Sequence, residues 1–117
     1  MPSLDRDRHI IRHIRDYCLE VETAHADFSH SKEKFMGSTT YRNAVTMPIL
    51  QIGELTNHLS EAFISAHRQI PWHEMRGIRN LFAHQYRSVD FEIVWETSIS
   101  DIASLKAFCD QYLRETE

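Results

Sequence analysis

The sequence predicts an all-α protein, an up-down bundle of four helices joined by short connections. Three observations carry this reading. Apolar residues recur every three or four positions along most of the chain, the period of a helix with one buried stripe. The 117 residues include only three glycines and three prolines, so little of the chain is turn or strand-boundary material. No segment alternates apolar and polar residues as a half-buried strand would.

The first helix is read from Leu4 to Phe28, with Ile10, Ile14, Tyr17, Val21, Ala24 and Phe28 along its stripe. Asp5 and Asp7 fall in its first turn, where negative charge suits the helix dipole. Ser29 to Ser38 is polar and reads as a connection with room for one helical turn around Lys32. Tyr41, Val45, Pro48, Ile52, Leu55, Leu59 and Phe63 mark a second long helix. Ser38 or Thr39 can cap it, and Pro48 inside it predicts a kink. Pro71 is expected at the N1 position of a third helix running from Trp72 to about Gln85. The last helix starts near a cap at Asp90 and buries Trp95, Ile99, Ile102, Leu105, Phe108 and Tyr112. Arg114 near its end suits the negative pole of the dipole.

A chain of this length fits one domain, residues 1–117, and is short enough that pairing with a second copy would help it. Apolar residues make up 42% and charged residues 26%, a globular balance. No apolar run approaches the roughly 20 residues that span a bilayer. The opening Met1-Pro2-Ser3-Leu4-Asp5-Arg6 is charged, with no apolar stretch behind it, which points to the cytoplasm and away from membranes. Cys18 and Cys109 have no CxxC partner and read as reduced thiols packed like small hydrophobes. The formal charge of −4 argues against a general nucleic-acid coat, and no DNA partner is expected. Between Ala66 and Ser88, however, four arginines stand against Glu74 alone, a local charge of +3, with His67, His73 and His84 among them. An anionic partner can be met there; a solvated helix face explains the same excess.

The third helix carries the chemistry. At 100° per residue Met75, Ile78, Leu81 and Phe82 share an apolar face, while Arg76, Arg79, Asn80, Ala83 and Tyr86 share the other. His84 follows Asn80 by one turn. Two guanidinium groups, an amide, an imidazole and a phenol therefore converge beside the small Ala83. These are the parts that RNA cleavage needs, because the attacking nucleophile is the substrate's own 2′-hydroxyl. His84 can move a proton near neutral pH. Arg79 can hold a phosphate oxygen and offset growing charge, with Arg76 beside it. Asn80 can orient His84 or the ribose, and Tyr86 can position the phosphate or stack on a base. Positions 79 and 84 lie about 140° apart around a helix. Either the helix ends near His84, or two copies of the site face one another in a dimer. Surface residues with satisfied hydrogen bonds remain an equal reading of this face from the residues alone.

Other constellations are weaker. His9 and His13 have a metal-compatible i, i+4 spacing, but no carboxylate or cysteine completes a set, so no metal and no cofactor is expected. His25 and His30 read as surface residues near the polar connection. Gly53 reads as a point of close approach between helices or subunits. Glu54 is placed either in solvent or against Arg76 or Arg79. Trp72 and Trp95 read as core or interface anchors. There is no Gly-rich phosphate loop, no GxSxG and no paired-carboxylate pattern, which removes NTPase, esterase and glycosidase readings.

Arg79-x4-His84-x-Tyr86 resembles the R-x4-H-x-Y motif of HepT-like proteins in the HEPN superfamily. Ile52-Gly53-Glu54, Ile70-Pro71-Trp72, Arg76-Gly77-Ile78-Arg79-Asn80, Asp90 with Trp95, and Arg6 to Ile10 extend the likeness over nearly the whole chain. Pro48 and Leu55 depart from it. The resemblance implies a HEPN-type four-helix bundle and a metal-independent endoribonuclease acting as a homodimer, with two motif copies lining a cleft at the subunit interface. It implies Arg79 and His84 as catalytic residues, with Asn80 as their polar neighbour. It implies Tyr86 as the residue that an MntA-type minimal nucleotidyltransferase antitoxin modifies with AMP, in a type VII toxin–antitoxin pair. The implied RNA target includes tRNA. A non-catalytic subunit that presents RNA or a nucleotide to a nucleotidyltransferase, and a structural dimer with a merely solvated polar face, are the competing readings.

Overall fold

A computed structural model describes residues 2–83 and 89–116. Every element among them is helical: α1 (Pro2–Asp27), α2 (Lys32–Gly37), α3 (Thr39–Thr56), α4 (Glu61–Ala66), α5 (Trp72–Ala83), α6 (Phe91–Glu96), a π turn (Thr97–Asp101) and α7 (Ile102–Glu115). The four long helices α1, α3, α5 and α7 correspond to the four expected. α1 packs on α3 and α7, and α3 packs on α5. The molecule is 46 Å along its long axis, a length set by α1, whose 26 residues span about 39 Å at 1.5 Å each.

The predicted stripe of α1 is the one that packs. Ile10, Ile14, Val21 and Ala24 are buried, with Ile11 and Cys18 beside them, and Tyr17 and Phe28 pack on the edge of the core. α1 ends in a tight reversal in which Ser29 (φ 62°) and His30 (φ 52°) both take the left-handed conformation. The His30 N–H closes it by donating to the His25 carbonyl at 2.8 Å, a helix-terminating arrangement that satisfies a carbonyl otherwise left open. Ser31 and Ser38 then cap α2 and α3 by accepting from the Lys34 and Tyr41 amides, each at 3.1 Å.

The second long helix predicted through Phe63 is in fact two. α3 runs unbroken through the buried Pro48 but stops at Thr56, and α4 starts only at Glu61. The cause lies on α1. Asp7, expected to serve the dipole in the first turn, is instead a buried residue whose carboxylate accepts from the Ser60 N–H at 2.8 Å and the Ser60 hydroxyl at 2.6 Å. Ser60 Oγ in turn accepts from the Phe63 amide at 3.1 Å and so caps α4. The start of α4 is thereby pinned to α1. Hydrogen bonds to a charged acceptor contribute about 1.5–3 kcal/mol each, and stranding buried donors costs a comparable amount. Asp7→Ala should therefore lower unfolding free energy by about 2–3 kcal/mol in urea titration; a loss under 0.5 kcal/mol would detach Asp7 from the break.

Two smaller corrections concern helix register. Pro71 lies one residue before α5, so it is the cap and not N1: its carbonyl accepts the first helical bond, from the Met75 amide at 3.0 Å. The last helix does begin after Asp90, whose side chain accepts from the Glu92 amide at 2.9 Å. It is then interrupted by the π turn, where the Ile102 amide reaches back to the Thr97 carbonyl. A π turn takes more residues per rotation than an α turn. Ser98 therefore occupies the inward place, and Ile99, expected in the core, is 42% exposed. Trp95, Ile102 and Leu105 are buried as expected, while Phe108 and Tyr112 are partly so.

Candidate functional site

α5 is seated by its first turn. Trp72 is buried, donates from Nε1 to the His67 carbonyl at 2.8 Å, and meets Phe63 and Phe108 at 5.8 and 5.7 Å between ring centroids. His67 belongs to this aromatic group too, 4.5 Å from Phe63 and 5.5 Å from Tyr112. It is thus part of the packing and not of the basic face with which its position in sequence grouped it. Met75 is buried and Ile78 packs on the core, as the predicted apolar face requires. His73 and Glu74 point outward.

Arg76 is half-buried at the junction of α5 with α3 and α4. Its Nε donates to the Thr56 carbonyl at 3.4 Å and its Nη2 lies 4.0 Å from the Glu61 carboxylate. A guanidinium at the last carbonyls of α3 is favourably placed against that helix's negative pole. Both contacts are long, and Glu61 is 88% exposed. The Glu54 carboxylate, expected in solvent or against Arg76 or Arg79, lies 3.8 Å from His58 Nε2.

Arg79, Asn80 and Ala83 belong to the continuous backbone of α5, so positions 76, 79, 80 and 83 run along one side of it at i, i+3, i+4 and i+7. His84 and Tyr86 lie outside the described residues. Gly53 is buried in α3, and its carbonyl accepts from the Thr56 hydroxyl at 2.8 Å.

A cleft of 290 Å³ opens along the neighbouring side of α5. Pro71, Glu74, Met75, Gly77 and Ile78 form one wall, and Ile93, Thr97 and Asp101 form the other. A Cβ built on Gly77 would meet nothing within 4 Å, and Ile93 is 48% exposed. This second wall has no local signature in the sequence, because α6 and the π turn bring it against α5 from a distant stretch of the chain. Among the described residues no group of three or more His, Cys, Asp or Glu is placed to hold a metal ion. His9 and His13 are exposed, with Nε2 atoms 3.1 Å apart. Cys18 and Cys109 are buried free thiols. Burial pushes the Cys18 thiol up to about 12 and Cys109 higher still, so neither is a nucleophile near neutral pH.

One buried polar group escaped the sequence reading altogether. His25, expected at the surface, is 2% exposed and bonds Tyr41 and Ser98. Its polar surroundings in sequence concealed this, since its partners are 16 and 73 residues away.

Comparison with known proteins adds the family. The chain matches the family described as Ribonuclease HepT-like over residues 8–112, a span that contains all of α5. A probable ribonuclease HepT of Thermococcus cleftensis is 35% identical over 74 residues, covering 63% of this chain and 67% of that protein. A provisionally named RNase of Caldanaerobacter subterraneus subsp. tengcongensis is 29% identical over 85 residues, covering 73% of this chain and 76% of that protein. No solved structure matches. Among the described residues no helix is long and apolar enough to cross a membrane. With its helical bundle and a match across nine-tenths of its length, the chain belongs to the HepT-like ribonuclease family.

Proposed function

We propose that the chain is a metal-independent endoribonuclease, the toxin of a type VII HEPN–nucleotidyltransferase pair, acting in the cytoplasm as a homodimer. Arg79 and His84 are its catalytic residues; Arg76, Asn80 and Tyr86 hold the RNA. The observation that carries this reading is α5. It is one unbroken helix inside the family match, anchored by Trp72 and Met75, with positions 76, 79 and 80 spaced along one side. The half-buried Arg76, whose guanidinium stands at the last carbonyls of α3 and 4.0 Å from the exposed Glu61 carboxylate, suits a phosphate-binding role.

The chemistry is self-contained. The ribose 2′-oxygen attacks the adjacent phosphorus, and His84 takes its proton. The bond from phosphorus to the 5′-oxygen breaks, and that oxygen leaves with a proton returned by an acid. Arg79 offsets the charge that grows on the phosphoryl oxygens, a contribution worth most where water is excluded. Because the nucleophile belongs to the substrate, no ion is needed to make one. Purified protein should therefore cut RNA at the same rate with and without EDTA; loss of cleavage in chelator would overturn the metal-free mechanism.

Regulation follows from the same face. AMP joined to Tyr86 by a minimal nucleotidyltransferase of the MntA type would place a phosphate and a nucleoside where RNA must bind, repelling and blocking it. Co-expression with such an enzyme should add AMP masses to the Tyr86 peptide and silence cleavage. An unmodified peptide from a silenced protein would remove Tyr86 from the scheme.

A further inference from the structure

The hydrogen-bond chain around His25 fixes its tautomer. The Ser98 hydroxyl donates to the Trp95 carbonyl at 2.7 Å. Its proton is thus committed, and toward His25 Nε2, 2.9 Å away, it can only accept. Nε2 therefore carries the ring proton. In a neutral imidazole Nδ1 is then an acceptor, and the Tyr41 hydroxyl donates to it across 2.6 Å. Every proton in this relay is used once, and each has an acceptor only while the ring is neutral. A second proton would sit on Nδ1 facing the phenol. Tyr41 would have to accept, and its own proton would have to find another acceptor among the rings of Phe28, Phe35 and Trp95 that surround it.

The relay ties three elements at one point: the end of α1 through His25, the first turn of α3 through Tyr41, and the π turn through Ser98. The tied π turn is also a wall of the cleft beside α5, since Thr97 and Asp101 line it opposite Gly77 and Ile78.

We propose that His25 is an acid-sensitive latch: its neutral imidazole holds the π turn to α1 and α3, and its protonation releases that turn and with it one wall of the cleft. The neighbouring groups agree with this direction. His30, from the turn after α1, stacks on the ring at 5.4 Å and opposes a second positive charge. From α3 the facing group is Tyr41, kept protonated by its burial. From α6 it is the uncharged Trp95, and Glu92 of that helix is engaged by Lys32 at 2.6 Å. Both ring nitrogens are taken by hydroxyls, so no carboxylate is hydrogen-bonded to the ring to favour the cation. Burial, and secondarily His30, lower the His25 pKa. A group whose folded pKa is depressed contributes stability that is present above its unfolded value, about 6.5, and is lost as pH falls through the folded value.

The test is nitrogen-resolved NMR of the full chain across an acid titration. At neutral pH His25 should show a protonated Nε2 and a bare Nδ1, and it should titrate below a free imidazole. The amide signals of residues 97–101 should move in step with it. Tyr41→Phe removes the donor to Nδ1 and should bring the titration back toward the free value. His25→Gln should lessen the fall in Tm on acidification, because the carboxylates that also titrate there are common to both proteins. An Nδ1–H tautomer, titration at or above the free value, or residues 97–101 that stay still while His25 titrates would each overturn the latch. Should His25→Gln fail to fold, the wild-type titration alone decides.

Discussion

Replacing His84 or Arg79 with alanine should cut RNA cleavage by roughly 100- to 10,000-fold for the histidine and roughly 100- to 1,000-fold for the arginine. Far-UV circular dichroism should be unchanged. The two expectations have different footings. Arg79 stands on α5, which is seated by Trp72 and Met75, and alanine is a better helix former than arginine. Helix propensity therefore does not oppose the substitution. His84 is assigned from the motif and from the need for a group that exchanges protons near neutral pH. If both residues serve one transition state, their effects are not additive, and the double variant should lose little more than the worse single one. A double variant down by the product of the two would mean that they act on separate steps. Wild-type cleavage by either single variant would remove that residue from the site. RNA binding that survives in a protein which never cleaves, wild type included, would instead favour an adaptor.

The features legible in the sequence are those set by neighbours a few residues apart. The apolar stripe of α1, the caps at Ser38 and Asp90, and the burial of Trp72 and Met75 all follow from local periodicity and local hydrogen bonding. Two of the misses share one cause, a partner far away in the chain, and a third comes from a change of helix type. Leu55, Leu59 and Phe63 keep helical spacing straight across the end of α3, and the break there is written on Asp7, 53 residues earlier. His25 sits in a polar stretch and is buried because Tyr41 and Ser98 receive it. Ile99 continues the apolar period of the last helix and is turned outward by a π turn that no local pattern announces. The candidate site divides in the same way. The side of α5 that bears Arg76, Arg79 and Asn80 is readable at 100° per residue. The cleft alongside is not, because its far wall, Ile93 from α6 with Thr97 and Asp101 from the π turn, comes from a distant stretch of the chain.

Phe35→Ala should be among the most destabilising single substitutions in the first half of the chain. α2 has six residues, far too few to persist alone, and Phe35 is its one buried side chain. That ring is fully enclosed, with centroids 5.2 Å from Tyr41, 5.3 Å from Trp95 and 6.2 Å from Phe91. The remaining attachments of α2 are exposed or depend on Phe35. Lys32 pairs with Glu92 at the surface, and the Arg42 guanidinium donates to the Phe35 and Met36 carbonyls at 3.3 and 2.5 Å while lying 5.1 Å above Phe91. Truncating a buried phenylalanine costs about 3–5 kcal/mol, a large share of the roughly 5–15 kcal/mol that holds a domain together. Urea titration should show that loss, and amide exchange should show residues 31–38 opening before the rest. The cavity would also lie against Tyr41, so the Tyr41–His25 bond should loosen in the same variant and raise the pH at which His25 takes its proton. A loss under 1 kcal/mol would mean that α2 is held by its surface contacts. Unchanged His25 titration in a variant that does lose 3 kcal/mol or more would mean that the aromatic packing and the hydrogen-bonded relay are independent.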